Sequence, residues 1–266
     1  MTDGFESAER VQDAKGRQYH IGAGPGDVAR YILTCGDPAR AERAAQRLAS
    51  IRVERRNREF VTLTGDYEGV DVTVMATGIG CDNTEIAVIE VAQIVDDPCF
   101  IRAGTCGSLQ ADIEIEDLVV STASCRLENT STWFVPEGYP AVADWRVVSA
   151  LTEAADAAGR RWHAGITATA SGFYGAQGRR GSGFEPRFPE LIDELGRIGV
   201  KNIEMETSTL FTLAAMRGMR AGAVCTVFAN RPRNEFISKD RKIAAEDAVV
   251  GVALAALRSL AEQDRS

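Results

Sequence analysis

The fold of this chain is most constrained by a unit that recurs along it: a short apolar run, a turn of small residues, then a helical pattern. Tyr31–Cys35 is such a run, followed by Gly36, Asp37 and Pro38. The helical face after it holds Ala41, Ala44, Ala45 and Leu48. A second unit runs from Val70 to Ala76 and continues into a helix, whose inner face holds Ala87, Val91, Ile94 and Val95. Alternating strands and helices predict an α/β fold.

One stretch, Cys99–Ser108, ends a predicted buried strand with a charged residue. Arg102 follows Phe100 and Ile101, where a parallel strand would normally stay apolar. The glycines after it let backbone N–H groups approach an anion, and a guanidinium there supplies bidentate donors for phosphate. A tight turn whose arginine pairs with a nearby carboxylate explains the same residues equally well.

A second basic residue follows the first strand. Asp37 suits a helix N-cap and Pro38 the first helical position, so Gly36 lies at a strand-to-helix turn that favours anions. Arg40 then stands in the first turn, where the helix dipole prefers acids. A bound anion beside Arg40 accounts for this, although a surface arginine is the simpler alternative.

Composition excludes several classes of protein. The chain has 266 residues, 45% of them hydrophobic, which suffices for one large domain. Its net charge of −8 and pI of about 5.0 argue against general nucleic-acid binding. The six cysteines form no CxxC pair, and the two histidines show no metal-ligand spacing. No signal peptide or membrane-spanning run is evident, so we expect a cytosolic protein without a membrane partner.

Two later stretches carry candidate binding groups. Gln177 and Arg179 alternate with small residues on a loop after a predicted strand at 163–170, where they would read a flat polar ring or simply face solvent. Glu204, Met205 and Glu206 follow an apolar strand, and a carboxylate there can accept from both hydroxyls of a sugar diol. Residues 77–83 lack the third small residue of a dinucleotide fingerprint, so we reject a dinucleotide site.

Other segments are predicted to be connections or short helices. Arg52–Arg58 is expected to be a mostly solvated charged loop, and residues 126–144 a long irregular connection. A short helix is expected over Pro186–Gly196.

Seven motifs in fixed order add a family resemblance. They are YHIG (19–22), CGDPAR (35–40), NREF (57–60), TGIG (77–80), RAGTCG (102–107), FYGAQGR (173–179) and IEMET (203–207). This set resembles the nucleoside phosphorylase family, and within it the branch that cleaves uridine. The resemblance implies a three-layer α/β/α sandwich with a central mixed, twisted sheet. One domain would cover residues 19–266, behind a flexible tail at 1–18.

The resemblance also implies roles for matching positions. The activity would be reversible, phosphate-dependent cleavage of uridine to uracil and ribose 1-phosphate. Phosphate would be held by Gly36, Arg40, Arg102 and Thr105, with Arg58 from a neighbouring subunit. Ribose would be held by Met205 and Glu206, with the neighbour's His20, and uracil by Phe173, Gln177 and Arg179. Arg102, Arg179 and Glu206 would carry the catalysis.

The same resemblance implies self-association as a dimer or a trimer of dimers. Phosphate would be a co-substrate and no cofactor would be required. A monovalent cation beside Glu59 at the interface is a weaker implication, because Asn83 stands where the family has serine. Cys106 replaces the second threonine of the phosphate turn.

Three alternatives remain beside this interpretation. A purine nucleoside phosphorylase or nucleoside hydrolase of the same fold would place an aspartate after the last strand, which here ends in Phe228-Ala229-Asn230-Arg231. A hydrolase would also not need the phosphate arginines. A nucleoside-binding protein without activity would be expected to lack some of those arginines, yet all are present.

Overall fold

The computed structural model describes residues 7–266, with eleven strands and six α-helices among them. The strands are β1 (Tyr31–Cys35), β2 (Ser50–Asn57), β3 (Phe60–Tyr67), β4 (Val70–Ala76), β5 (Cys99–Ser108), β6 (Leu118–Leu127), β7 (Ala141–Val142), β8 (Trp162–Ala170), β9 (Asn202–Glu204), β10 (Arg220–Asn230) and β11 (Glu235–Phe236). The helices are α1 (Pro38–Ala45), α2 (Cys81–Ala92), α3 (Trp145–Ala157), α4 (Leu191–Arg197), α5 (Thr207–Met216) and α6 (Lys242–Arg265).

The strands form one mixed sheet, as predicted. Their order is β11-β10-β6-β8-β9-β5-β1-β4-β3-β2, with β7 on β6 and a further pairing between β5 and β10 that closes part of the sheet on itself. The pairs β1–β4, β1–β5 and β5–β10 are parallel, whereas β2–β3, β3–β4 and β5–β9 are antiparallel. The parallel set brings the carboxyl ends of β1, β4 and β5 to one edge, the usual place for a ligand in such sheets.

Helices cover both faces of the sheet, which confirms the three-layer prediction. One apolar cluster packs α1, α3 and α6 against one face, through residues such as Leu33, Ile101 and Leu257. A second packs α2 and α5 against the other face, around Phe100 and Phe211. The helix after β1 begins as predicted, because the Asp37 carboxylate accepts from the Ala39 N–H at 3.0 Å and Pro38 is the first helical residue.

The prediction of a charged loop at Arg52–Arg58 is wrong, because most of this stretch is the edge strand β2. An edge strand exposes much of its surface, so charged side chains can remain hydrated on it. The charges also find partners: Arg52 pairs with Asp71, Arg55 with Asp27, and Arg56 with both Glu42 and Glu54.

Two other expectations need smaller corrections. The connection at 126–144 is less irregular than predicted, since it contains the end of β6, a 3₁₀ turn at Ser131–Trp133 and the strand β7. The short helix expected at Pro186–Gly196 begins only at Leu191.

A register shift interrupts the pairing of β10 with β5. Val227 pairs with Cys106 and Ala229 with Gly107, so Phe228 has no partner residue on β5. Such a bulge re-aims a side chain. Phe228 lines the large cavity described below.

The predicted flexible tail lies partly outside the described residues, which begin at Ser7. Gln12 and Gln18 form a single antiparallel bridge, and Gln18 is buried. The tail boundary at residue 18 stays a prediction. Among the helices of residues 7–266, none has both the length and the apolar character needed to span a membrane.

Candidate active site

A cavity of about 580 Å³ opens at the edge where β1, β4 and β5 end. Most of the predicted site residues line it: Gly36, Arg40, Arg102, Thr105, Phe173, Gln177, Arg179, Met205 and Glu206. These residues come from four separated motifs of the sequence, and the fold brings them together in one cavity. The three predicted residues His20, Arg58 and Glu59 do not line it.

The first part of the cavity is formed by the turn after β1. A Cβ at Gly36 would lie 3.0 Å from the carbonyl oxygen of Gly78, so a side chain here would push the two turns slightly apart. Arg40 is buried in the first turn of α1. Its Nη1 donates to the Ala103 carbonyl at 3.3 Å and its Nη2 to Glu246 at 2.8 Å. The guanidinium therefore lies beside the middle of β5, next to the position of Arg102.

The centre of the cavity is a buried group of one arginine and two glutamates. Arg102 donates from Nε to Glu204 at 3.1 Å and contacts Glu206 through Nη2. Strand β9 runs antiparallel along the end of β5, which brings both glutamates next to Arg102. Arg102 therefore does pair with carboxylates, as the alternative interpretation of Cys99–Ser108 predicted, and it does so within the cavity.

Glu204 organises this group. Its carboxylate accepts from the backbone N–H groups of Glu206, at 2.9 Å, and Thr207, at 3.0 Å, and from the Thr169 hydroxyl at 2.6 Å. With four donors and almost no exposure, its geometry is fixed. We infer that Glu204 holds the β9–α5 junction in place.

Glu206 spans two elements. Its Oε1 accepts from the Gly80 N–H at the start of α2, at 2.6 Å, while its Oε2 meets Arg102. Burial raises the pKa of Glu206, Arg102 opposes this rise, and Glu204 adds to it. A buried carboxylate with a raised pKa at the wall of a cavity is typical of a functional group.

The far part of the cavity is cationic and aromatic. Arg179 stacks over the Phe173 ring, 3.9 Å from its centroid, and its Nε donates to the Phe173 carbonyl at 3.0 Å. Arg231, after β10, donates to the Gln177 carbonyl at 3.2 Å. Burial lowers the pKa of Arg179 to about 10, and repulsion from Arg231 adds to that shift. Burial also lowers the pKa of Arg231.

No carboxylate forms an ion pair with Arg179 or Arg231 within residues 7–266. Two half-buried guanidinium groups that repel each other therefore lie at the far part of the cavity. Such an arrangement suits a ligand that offers carbonyl oxygens or negative charge.

His20 and Arg58 lie together on a separate surface. The Asn57 amide donates to the Tyr19 and His20 carbonyls at 2.9 and 2.8 Å, which ties the β2–β3 turn to the YHIG segment. Arg58 stacks on the Tyr19 ring and is exposed. The Nδ1 atom of His20 lies 2.6 Å from Glu90. His20 and Arg58 therefore lie outside the cavity of their own chain.

Comparison with known proteins identifies the family. The family model described as the phosphorylase superfamily matches residues 30–258. The chain belongs to this superfamily. It is 48% identical to a uridine phosphorylase of Thermococcus kodakarensis, over 99% of this chain and 94% of the relative. It is 37% identical to the uridine phosphorylase of Escherichia coli, over 93% and 99% of the two chains. A guanosine phosphorylase of Halorubrum lacusprofundi is 36% identical, over 80% and 84%.

The residues around Glu59 do not fit the monovalent cation that the family resemblance implies. A Cβ placed on Gly78 would lie 2.5 Å from the Asn83 amide nitrogen and 3.1 Å from Cγ of Glu59, so these groups crowd together. The Asn83 amide nitrogen also faces the Ile79 carbonyl oxygen at 3.5 Å. The carbonyl needs a donor, so the amide presents N–H groups where a cation would need oxygen ligands. We derive no step of the reaction from a cation in this phosphorylase.

Three residues of the site were not singled out from the sequence: Phe228 and Phe236 line the cavity, and Arg231 binds the Gln177 carbonyl beside it. Glu204 was named as a candidate acid but was given no role of its own. Glu204 carried a signal, since it is an acid within an apolar strand. Arg231 directly follows a buried strand, as Arg102 follows Ile101, and this analogy is the signal that would have found it.

Proposed function

We propose that this protein cleaves uridine reversibly with phosphate, giving uracil and ribose 1-phosphate. The observation that carries this proposal is the order of charges in one cavity. Arg40 lies at one end, Arg102 in contact with Glu206 at the centre beside Met205, and Arg179 at the other end, where Arg231 binds the Gln177 carbonyl. Phosphate, ribose and a carbonyl-rich base would match these three parts. The names of the relatives from Thermococcus and Escherichia support the same substrate.

The reaction needs no covalent enzyme intermediate. A phosphate oxygen forms a bond to C1′ of the ribose as the bond from C1′ to N1 of uracil breaks, and the bonding pair leaves with the base. Arg40, Arg102, Thr105 of β5 and the turn at Gly36 would orient phosphate, which supplies effective molarity. The bound dianion stabilises the positive charge that develops on the ribose.

The residues at the other end serve the leaving base. As negative charge grows on the uracil oxygens, Arg179 stabilises it, because its own charge has no carboxylate partner. Gln177 can donate and accept, so it can pair with the carbonyl and N3–H edge of uracil. Arg179 can only donate, so it would repel the exocyclic amine of cytosine. Phe173 would stack on the base.

The Glu206 carboxylate would accept from the ribose hydroxyls. To do so it would exchange its contact with Arg102 for the sugar, and Arg102 would turn to phosphate. The Gly80 N–H keeps one oxygen of Glu206 in place during that exchange. Met205 would pack on the sugar ring.

A neighbouring subunit would complete the site. Arg58 and His20 lie on one surface outside their own cavity, joined through Asn57. We propose that they reach the phosphate and the ribose 5′-hydroxyl of a partner, within a dimer or a trimer of dimers.

No cofactor enters the proposed reaction, and we propose the cytosol as its compartment. The six cysteines are all free thiols, as expected of a reducing environment.

A purine substrate is less well supported, although one relative is named a guanosine phosphorylase. An acid at the end of β10 would be needed to bind N7 of the purine. Asn230 stands there, fully buried, and its amide donates to the Ile113 carbonyl at 2.8 Å. Its carboxamide oxygen accepts from the Arg233 N–H at 2.9 Å. Both ends of the side chain are therefore occupied in holding the fold.

The deciding experiment is a nucleoside panel with and without phosphate or arsenate, read by release of the free base. We expect uridine to be cleaved only with phosphate or arsenate, thymidine more slowly, and cytidine hardly at all. Faster cleavage of inosine or guanosine than of uridine would overturn the substrate. Equal cleavage without phosphate or arsenate would make the protein a hydrolase.

A further inference from the structure

Glu246, in the first two turns of α6, binds two arginines of α1 at once. Its Oε1 accepts from Nη2 of Arg40 at 2.8 Å, and its Oε2 contacts Nη2 of Arg43. Only 12% of the Glu246 side chain and 8% of the Arg40 side chain are exposed, so solvent screens this pair weakly. Glu246 itself does not line the cavity.

The contacts of Arg40 fix the plane of its guanidinium. Nη2 is held by Glu246 and Nη1 by the Ala103 carbonyl, so both terminal nitrogens have a fixed partner. The Nε atom is buried and has no hydrogen-bond partner among residues 7–266. An unpaired buried donor on a residue that lines the cavity indicates an acceptor brought by the ligand.

The charges in this group leave a surplus for an anion. Arg40 and Arg43 together carry two positive charges against the one carboxylate of Glu246. Asp247 lies 3.6 Å from Nε of Arg43, but 42% of its side chain is exposed and solvent screens it. Glu246 can therefore orient Arg40 without cancelling its attraction for phosphate.

We propose that Glu246 is a positioning residue for the phosphate half of the site. It acts by holding the Arg40 guanidinium in the plane that faces the co-substrate. This inference rests on the proposed phosphorolysis and assigns a role to a residue of the terminal helix. A purely structural alternative is that Glu246 only joins α6 to α1, in which case its loss would change stability and not the use of phosphate.

The test compares two variants that lose the same ion pair between α1 and α6. Glu246→Ala removes the acceptor for both arginines, whereas Arg43→Met removes the Arg43 contact and leaves Arg40 bound to Glu246. We expect Glu246→Ala to raise the phosphate KM about tenfold, with the uridine KM changed less than twofold, as for a lost hydrogen bond to a charged group. Arg43→Met should keep the phosphate KM within about threefold, although both variants lower Tm.

A conservative variant protects the test against misfolding. Glu246→Gln keeps an oxygen for Arg40 but loses the charge, so its phosphate KM should lie between those of wild type and Glu246→Ala. Calorimetric titration with inorganic phosphate, without uridine, should give the same order of affinities. If Glu246→Ala does not fold, Glu246→Gln replaces it in the comparison with Arg43→Met.

The inference is overturned by equal phosphate KM values in the Glu246 and Arg43 variants, or by a uridine KM that rises in step with that of phosphate. Failure of the proposed function looks different. In that case the wild type itself would release uracil independently of phosphate, or would not release it at all.

Discussion

The guanidinium of Arg102 and the carboxylate of Glu206 form a buried ion pair at the centre of the cavity. The same two side chains would receive the two reactants, phosphate on Arg102 and ribose on Glu206. In the free protein the Glu206 carboxylate therefore contacts Arg102 where phosphate would bind, and the Arg102 guanidinium contacts Glu206 where ribose would bind. Binding must replace this contact with stronger ones, and Arg102 and Glu206 are the residues at which substitutions should be most informative.

Arg102→Ala should lower kcat by about 10²-fold or more and raise the phosphate KM, the usual loss for one preorganised charge stabiliser. It would also leave Glu204 and Glu206 buried without a cation, at a cost of about 3–5 kcal/mol in stability. Arg102→Lys keeps the charge and separates the two effects: Tm should largely return and activity should not. Steady-state kinetics and thermal unfolding measure both. Wild-type phosphate kinetics in Arg102→Ala would remove this residue from the site.

As the pH is lowered, uridine affinity should begin to fall at a pH above the usual pKa of a glutamate. Burial raises the pKa of Glu206, so the carboxylate takes up a proton above its usual range and can no longer accept from both ribose hydroxyls. Titration with uridine in the absence of phosphate excludes the ionisation of phosphate itself. The Glu206→Gln variant should bind weakly with no such acid limb, and an unchanged limb would assign it to another group.

The raised pKa of Glu206 affects the stability of the fold in the opposite direction: lowering the pH weakens uridine binding but increases the contribution of this group to stability. Because the folded pKa of Glu206 lies above the unfolded one, the folded state binds more protons in the interval between them. The contribution of this group is therefore largest below the unfolded pKa and is lost as the pH rises through the folded pKa.

Arg179→Gln should lower kcat and raise the uridine KM, because the charge that Arg179 meets grows towards the transition state. It should also leave Tm unchanged or raise it slightly. The depressed pKa of Arg179 means that its charge is unfavourable in the free protein. Since the side chain is only half-buried, solvent screening limits the gain to less than about 1 kcal/mol, or roughly 2 °C. Arg180→Gln, one residue away and exposed, is the matched control. A marked drop in Tm would mean that the contacts of Arg179 with Phe173 outweigh the unfavourable burial of its charge.

Mixing inactive Arg58→Ala chains with inactive Arg102→Ala chains should restore part of the activity. Arg58 lies outside its own cavity, so a mixed dimer would hold one site in which both arginines are present. Mixing Arg102→Ala with Arg40→Ala chains is the control. Both of those residues line the same cavity, so every site of a mixed dimer stays defective. A fully active monomer in sedimentation at assay concentration would exclude the composite site.

Replacing potassium and sodium by tetramethylammonium should leave activity and Tm unchanged, because the Asn83 amide occupies the region beside Glu59. Asn83→Ser would free that space, and Tm of this variant should then rise with added potassium. A wild-type Tm that depends on potassium would mean that the amide does not replace a cation.

Much of the site was predictable because its residues follow a local rule. Arg102 lies inside the buried strand β5, and Arg40 and Glu206 lie at the start of a helix; charge is unexpected at all three positions unless it binds something. Residues defined by long-range contacts had no such signal: Glu246 reaches Arg40 from a helix 206 positions away in sequence. The strand β2 was missed because its many charges resemble a loop, and only its pairing with β3 identifies it.

The bulge at Phe228 separates the shape of the cavity, at the part proposed for the base, from the pairing of the sheet. Because this residue has no opposite number on β5, a different side chain there would not disturb the ladder on either side. A single substitution of Phe228 could therefore change the cavity wall, while β5 with Arg102 and β10 with Asn230 keep their register. Selection for a new nucleobase would find its least disruptive starting point at this residue.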